Sequence, residues 1–314
     1  MQTWKWLYDP ASPYRWRFLI SVLVRAALLF VLFNLVFALV DPLPTLGRLS
    51  AYNTLFRGRE RLPYGENPAA SFNLSLFQLD AMLASHALAG AGDDEYRVLV
   101  IGDSSVWGIL LRPGETLAGQ INALELTVDN HPVRAYNLGY PTMSLVKDLM
   151  LLDYALRTDP DLIVWAFTLE SFAPDVQLES AIVRHNAEPV RGLIRRYDLD
   201  LDPDDPRFET LTFWERTIVG QRRALADLLR LQFYGVAWAI TGTDQEYPAD
   251  YTPDQVDLAG DESWHGYDAP QPLTADDLAL DVLHAGVTRA GETPILLVNE
   301  PILISDGENS NIRY

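Results

Sequence analysis

The chain has 314 residues, a net charge of −19 and no cysteine. That length holds one large domain or two small ones, and the missing thiols exclude a disulfide framework, a cysteine nucleophile and a thiolate metal site. The charge is unevenly placed, +5 over residues 1–61 and −24 over the rest; so acidic a globular part excludes a nucleic-acid partner, which needs a basic surface.

Residues 1–17 are rich in aromatics (Trp4, Trp6, Tyr8, Tyr14, Trp16) and carry Lys5, Arg15 and Arg17. Phe18 to Val40 then runs 23 residues with only Ser21, Arg25 and Asn34 as polar interruptions. As a helix that run crosses a hydrocarbon core of ~30 Å. Arg25 lies near enough to the entry end to snorkel, and the tryptophans suit an interfacial belt. A signal peptide competes with this reading, but its apolar region is shorter, and no A-x-A-like cleavage site follows here. Residues 1–41 are therefore read as a cytoplasmic tail and transmembrane anchor, a single-pass helix apart from the sheet core with the lipid bilayer as its partner. Lys5, Arg15, Arg17 and Arg25 favour a cytoplasmic N-terminus with the domain outside, against a weaker pull from Arg48, Arg57, Arg59 and Arg61.

Residues 42–95 read as a connector. Leu62-Pro63-Tyr64-Gly65 and Asn67-Pro68 are turn signals, and Ser75 to Leu88 is apolar at helical spacing. Val98 to Ile101 is then a short β-branched run bounded by Gly102, the pattern of a buried parallel strand. Gly102 permits a sharp turn, and Asp103, Ser104 and Ser105 are all good helix N-caps. A strand ending in Gly-Asp-Ser and entering a helix sets a hydroxyl at the carboxyl end of the sheet, where open α/β sheets bind ligands. Helix N–H groups and dipole would favour a developing oxyanion there. A serine that merely caps the helix is the alternative.

Thr116 to Leu124 has a helical pattern, Val133 to Leu138 is a second strand, and Ser144 caps a helix over Leu145 to Leu156. Leu162 to Phe167 is a third strand, with Thr168 to Phe172 at its carboxyl end. The alternation predicts an α/β fold with a doubly wound parallel sheet. Residues 175–272 interrupt it as a helical insertion. Phe213 to Ile240 is a long helical pattern whose last ten residues, Leu231 to Ile240, are uncharged; they are too few to span a bilayer. They read either as a helix packed on the sheet or as a segment resting on the membrane. Thr274 to Ala290 resumes a helix, and Pro294 to Val298 is a fourth strand ending in Asn299-Glu300-Pro301. No His/Asp/Glu cluster has metal-ligand spacing and no glycine-rich phosphate loop is present, so neither metal nor cofactor is expected. The acidic loop Asp198 to Asp205 lacks the EF-hand pattern.

Gly102-Asp103-Ser104, Asn137-Leu138-Gly139 and Thr168 to Phe172, each following a strand, resemble the blocks of the SGNH, or GDSL-type, hydrolases over residues 97–172. The resemblance implies a flavodoxin-like SGNH domain over residues 96–314. It implies Ser104 as nucleophile, the backbone N–H groups of Ser104 and Gly139 as an oxyanion hole, and Asp103 and Asn137 shaping the site. Two departures stand out. Glu170 falls where the family has an oxyanion-hole asparagine, so it is turned away, protonated or paired, or the site does other chemistry. The family's Asp-x-x-His block follows a fifth strand, whereas Asp281-Val282-Leu283-His284 lies in a helix before the fourth. His86, His131 and His185 are expected in solvent, and His265 sits in the insertion within possible reach. One more strand and a closing helix are therefore expected after Tyr314, with Asp306 to Asn309 a turn. The expected function is a membrane-anchored, extracytoplasmic serine esterase or O-acyltransferase acting on acylated envelope glycans or lipids. The alternative is a catalytically silent SGNH-like scaffold module of an envelope complex.

Overall fold

The computed structural model describes residues 16–55, 57–64, 77–241 and 273–300. The aromatic N-terminus up to Arg15, Asn67-Pro68, the acidic stretch 244–272 with His265, Pro301 and the expected turn at Asp306 to Asn309 lie outside the described residues. In chain order the elements begin with α1 (Trp16–Val40), α2 (Leu43–Arg48), α3 (Ala51–Leu55) and α4 (Leu79–Ser85). β1 (Tyr96–Ile101), α5 (Ser104–Trp107), α6 (Leu117–Ala123), β2 (Thr127–Val128) and β3 (His131–Asn137) follow. Then come α7 (Leu145–Ala155), β4 (Leu162–Phe167), α8 (Ala181–His185), α9 (Ala187–Tyr197), α10 (Arg222–Thr241), α11 (Leu280–Ala290) and β5 (Ile295–Asn299).

The strands form one sheet in the order β2-β3-β1-β4-β5. β3, β1, β4 and β5 run parallel, while β2 pairs antiparallel with the start of β3. The hairpin joining β2 to β3 was not expected from the sequence. It turns at Asp129 and Asn130, both at positive φ, the backbone that short hairpin turns demand and that Asn and Asp tolerate.

Period-two alternation sorts the side chains of the buried strands to two faces. Val98, Val100, Val164 and Ala166 face one side, with Val106, Ala118 and Ile121 of the β1-to-β3 crossover packed over them. Leu99, Ile101, Ile163 and Trp165 face the other, under α7, α8, α9 and α11. The chain thus winds outward from β1 to β3 on one face, returns past β1 to β4 on the other, and continues to β5. Beside β1 the winding direction reverses, and at the carboxyl ends of strands flanking such a reversal open α/β sheets carry their ligand sites.

The expected connector is part of the body. Leu62, Leu79, Met82, Leu83 and Leu88 are buried in the same core as α7, so the described residues around Leu62 and from Leu79 to Leu88 pack into the body. The long helical pattern of the insertion starts later than its apolar spacing suggested, because residues 213–221 form turns and α10 begins at Arg222. Nor does α10 lie on the sheet. It packs on α2 and α3, where the Gln232 Oε1 accepts the Ala51 N–H at 2.7 Å.

Helix α1 is unbroken, and it is the one described helix long and apolar enough to cross a membrane. It stands apart from the sheet but touches the insertion. Asn34, a polar interruption in the apolar run, donates from Nδ2 to the Phe30 carbonyl at 2.8 Å and accepts the Val219 N–H at Oδ1 at 3.2 Å.

Candidate active site

The chemistry-bearing turn is built by close approach. A Cβ on Gly102 would lie 2.6 Å from Val106 Cγ2 and 2.8 Å from the Ala166 carbonyl oxygen, so only glycine lets β1 pass directly into the turn. Buried Asp103 caps α5, its Oδ1 accepting the Ser105 N–H at 2.9 Å. Ser104 opens the helix half-buried, and its hydroxyl has no hydrogen-bond partner among the described residues. Helix α5 is a single turn, so this turn presents backbone N–H groups rather than a long helix dipole.

Asn137 and Gly139 arrive at the same end of the sheet from β3. A Cβ on Gly139 would overlap the backbone of Val106 and Trp107, so the Asn137 loop lies directly on α5. Asn137 ties the two together: its Nδ2 donates to the Val106 carbonyl at 2.7 Å and its Oδ1 accepts the Gly139 N–H at 3.0 Å. In this arrangement an oxyanion gains the Gly139 N–H only by sharing it with, or taking it from, Asn137. A cleft of about 500 Å³ on the outer side of β3 is lined by Glu60, Thr116, Asn122, Arg134, Tyr136 and Asn137, within the size range of small-molecule sites.

Under the turn lies a group that pattern reading passed over. The fully buried Lys147 donates to the carbonyls of Gly102 (2.9 Å), Tyr140 (2.9 Å) and Thr142 (2.8 Å), and its Nζ lies 2.9 Å from Asp148 Oδ1. It therefore fastens the serine turn to the loop after β3. Asp148 is held in turn by the Trp165 indole N–H at 3.1 Å. Burial raises its carboxyl to about 6, opposed by Lys147 and Trp165. A lysine in the first turn of a helix reads as solvent-exposed from sequence, and no local signal marks this one as buried.

The chain before β1 braces the same loops. His86, expected in solvent, is completely buried. Its Nδ1 accepts the Leu88 N–H at 3.1 Å, so the proton sits on Nε2 and is donated to the Asn137 carbonyl at 3.0 Å. Burial lowers its pKa to about 4. With both nitrogens engaged, His86 is a neutral brace rather than a base. Buried Arg61 donates to the carbonyls of Gly108 and Leu111, each at 2.9 Å, and stacks over the Trp107 ring.

Other titratable groups fall as follows. His131 is exposed at the start of β3, the opposite end of the strand from Asn137, and His284 is exposed on α11. His185 pairs with Glu209 at 3.0 Å. Asp281 accepts the Asp200 N–H at 2.8 Å, tying α11 to the insertion. In the acidic loop Asp205 is clasped by Arg207, and no group able to hold a metal occurs among the described residues. Glu170 is half-buried in the 3₁₀ turn after β4, beside Thr168, whose Oγ1 is buried without a hydrogen bond.

The carboxylate that does meet the serine turn is Glu300, at the end of β5. Its backbone N–H donates to the Phe167 carbonyl at 2.8 Å, and its two oxygens accept the Ser105 hydroxyl at 2.9 and 2.7 Å. Ser105 and Glu300 are 195 positions apart, and only the sheet order brings them together. The chain matches no protein-family model and none of the curated proteins it was compared with.

Proposed function

We propose that this chain is a membrane-anchored domain of SGNH type that cleaves or transfers ester-linked acyl groups on envelope glycans or lipids, its N-terminus cytoplasmic and its domain outside. The observation that carries this reading is the meeting of the Gly102-Asp103-Ser104 turn with the Asn137–Gly139 loop at the carboxyl ends of adjacent parallel strands. The order of the parallel strands, β3-β1-β4-β5, is the one a flavodoxin-like sheet would have. In the proposed reaction Ser104 Oγ bonds to the acyl carbon, and the carbonyl oxygen gains negative charge. The backbone N–H groups of Ser104 and Gly139 meet that charge. The acyl C–O bond to the original alcohol breaks, and that alcohol leaves with the proton given up by Ser104. Water or a second alcohol then attacks the acyl carbon and breaks its bond to Ser104, its own proton returning to Ser104 Oγ. Ser104 Oγ gives up its proton as it attacks, and the carboxylate at this turn is Glu300, which accepts the hydroxyl of the neighbouring Ser105. Phospholipid or lipid-linked glycan is the natural substrate class for a domain tethered to a bilayer.

A catalytically silent module is the second reading, and a specific observation favours it. Among the described residues no histidine meets the hydroxyl of Ser104, and the carboxylate at the turn is bonded to Ser105 instead. A fluorophosphonate probe separates the two, because it labels only an activated serine. Labelling of the full-length protein that persists in Ser105→Ala and disappears in Ser104→Ala is the expected result. An unlabelled wild-type protein would leave the scaffold reading standing.

A further inference from the structure

The insertion carries apolar surface that neither the sheet nor α2 and α3 cover. Leu229, Phe233 and Ile240 of α10 are 64%, 78% and 73% exposed. Spaced by four and seven residues, they fall on one helix face. Trp214 in the preceding turns is 72% exposed and Val219 50%. Single exposed apolar residues need no explanation, but a contiguous set of large ones marks an interaction surface.

Hydrogen bonds tie this surface to the apolar helix. Val219 donates its N–H to Asn34, Gln221 reaches Asp41 at 3.4 Å, and Ala38, one helical turn beyond Asn34, is completely covered. At 1.5 Å per residue, the run from Phe18 to Val40 is about 34 Å long, against a hydrocarbon core of about 30 Å. Asn34 lies about 9 Å before the end of α1 by the same rise. Residues beside it therefore sit at the acyl–headgroup boundary, the depth to which interfacial helices bury their apolar faces. Charge agrees with that position: residues 211–241 sum to +2 in a domain that is otherwise strongly acidic, with Arg222 exposed at the start of α10.

We propose that Trp214, Val219 and the Leu229–Phe233–Ile240 face of α10 form a docking surface for the phospholipid bilayer, seating the domain on the leaflet at which α1 ends. The surface fixes the orientation of the domain as well as its tether. The proposal rests on α1 being a membrane span and is independent of any activity at Ser104.

Because the chain has no cysteine, single cysteines report cleanly. The full chain is reconstituted into phosphatidylcholine–phosphatidylglycerol nanodiscs with a nitroxide at Trp214→Cys, Leu229→Cys, Phe233→Cys or Ile240→Cys. Leu29→Cys in α1 serves as the lipid reference and Asp276→Cys as the aqueous reference. The expected result is collision with oxygen exceeding collision with a water-soluble nickel chelate several-fold at the four docking positions and at Leu29, with the reverse at Asp276. A lipid-exposed label at Leu29 with aqueous labels on α10 would overturn the docking surface while leaving the anchor intact. Immobile labels shielded from both reagents would show a protein covering the face, and would overturn it too. An aqueous Leu29 label would remove the anchor and the docking surface together.

Discussion

The ammonium of Lys147 has three protons and four acceptors: the carbonyls of Gly102, Tyr140 and Thr142, and Asp148. The three carbonyls take the protons, and Asp148 supplies the neutralising charge. Removing one member of a buried pair strands the other, at about 3–5 kcal/mol. Lys147→Met is expected to fall in that range by denaturant unfolding. The double variant Lys147→Met/Asp148→Asn should cost clearly less than the sum of the singles, since the second change removes the stranded charge. Additive costs would show that the pair does not act as a unit. His86 gives the molecule a pH dependence. Its folded pKa, about 4, lies below its ordinary value of 6.5. Between these values the unfolded chain binds the proton and the folded one does not, so stability is fully present above 6.5 and drains as pH falls towards 4. The drain amounts to roughly 3 kcal/mol over that window. Asp148, raised to about 6, pulls the other way, because the folded state takes up its proton first. In His86→Gln the acid-labile contribution is gone, so stability measured from pH 7 to 4 should fall less than in wild type, or rise. An unchanged slope would place the acid sensitivity elsewhere.

At the scale of elements, the sequence was legible where burial imposes a period. The β-branched runs of β1, β4 and β5 and the Ser144-capped α7 lie within about two residues of their expected bounds. Other features have no period to read. The brace over residues 57–64 is irregular chain held by Arg61, and β2 is two residues long. The Ser105–Glu300 contact and the seat of Lys147 exist only once non-neighbouring segments pack. Asn137-x-Gly139 was legible as a motif, but not as the joint it makes, with the loop flush against α5. That joint is sharp enough to test. In Gly139→Ala the new Cβ overlaps Trp107 backbone, which cannot rotate away as a side chain would. The expected cost is at or above the upper end of the roughly 1–3 kcal/mol of overpacking, with fluorophosphonate labelling lost as α5 is pushed off β3. Wild-type stability in Gly139→Ala would mean that the two turns are not in register.

At the scale of the whole molecule, α1 and the α/β body are joined through the insertion, and Asn34 is the joint. Asn34 accepts the Val219 N–H and Asp41 accepts from Gln221, so the end of α1 is fastened to the insertion. Asn34 is also the residue that an apolar span would otherwise shed, since an amide in hydrocarbon is costly without partners. Both of its polar ends are satisfied, one by Phe30 and one by Val219. Asn34→Leu separates membrane insertion from domain seating. Leucine is at least as favourable in the bilayer as asparagine, so the variant, like the wild type, should remain in the membrane pellet after carbonate extraction. The Val219 N–H then loses its acceptor, at a cost of about 1–3 kcal/mol if it stays buried, and the turns at residues 213–221 loosen. Limited proteolysis of the membrane-bound protein should therefore cut that segment several-fold faster in Asn34→Leu, with the sheet domain intact. Equal cleavage would show that the contact does not hold the domain. Recovery of the wild type in the soluble fraction would show that the helix is not a membrane anchor at all.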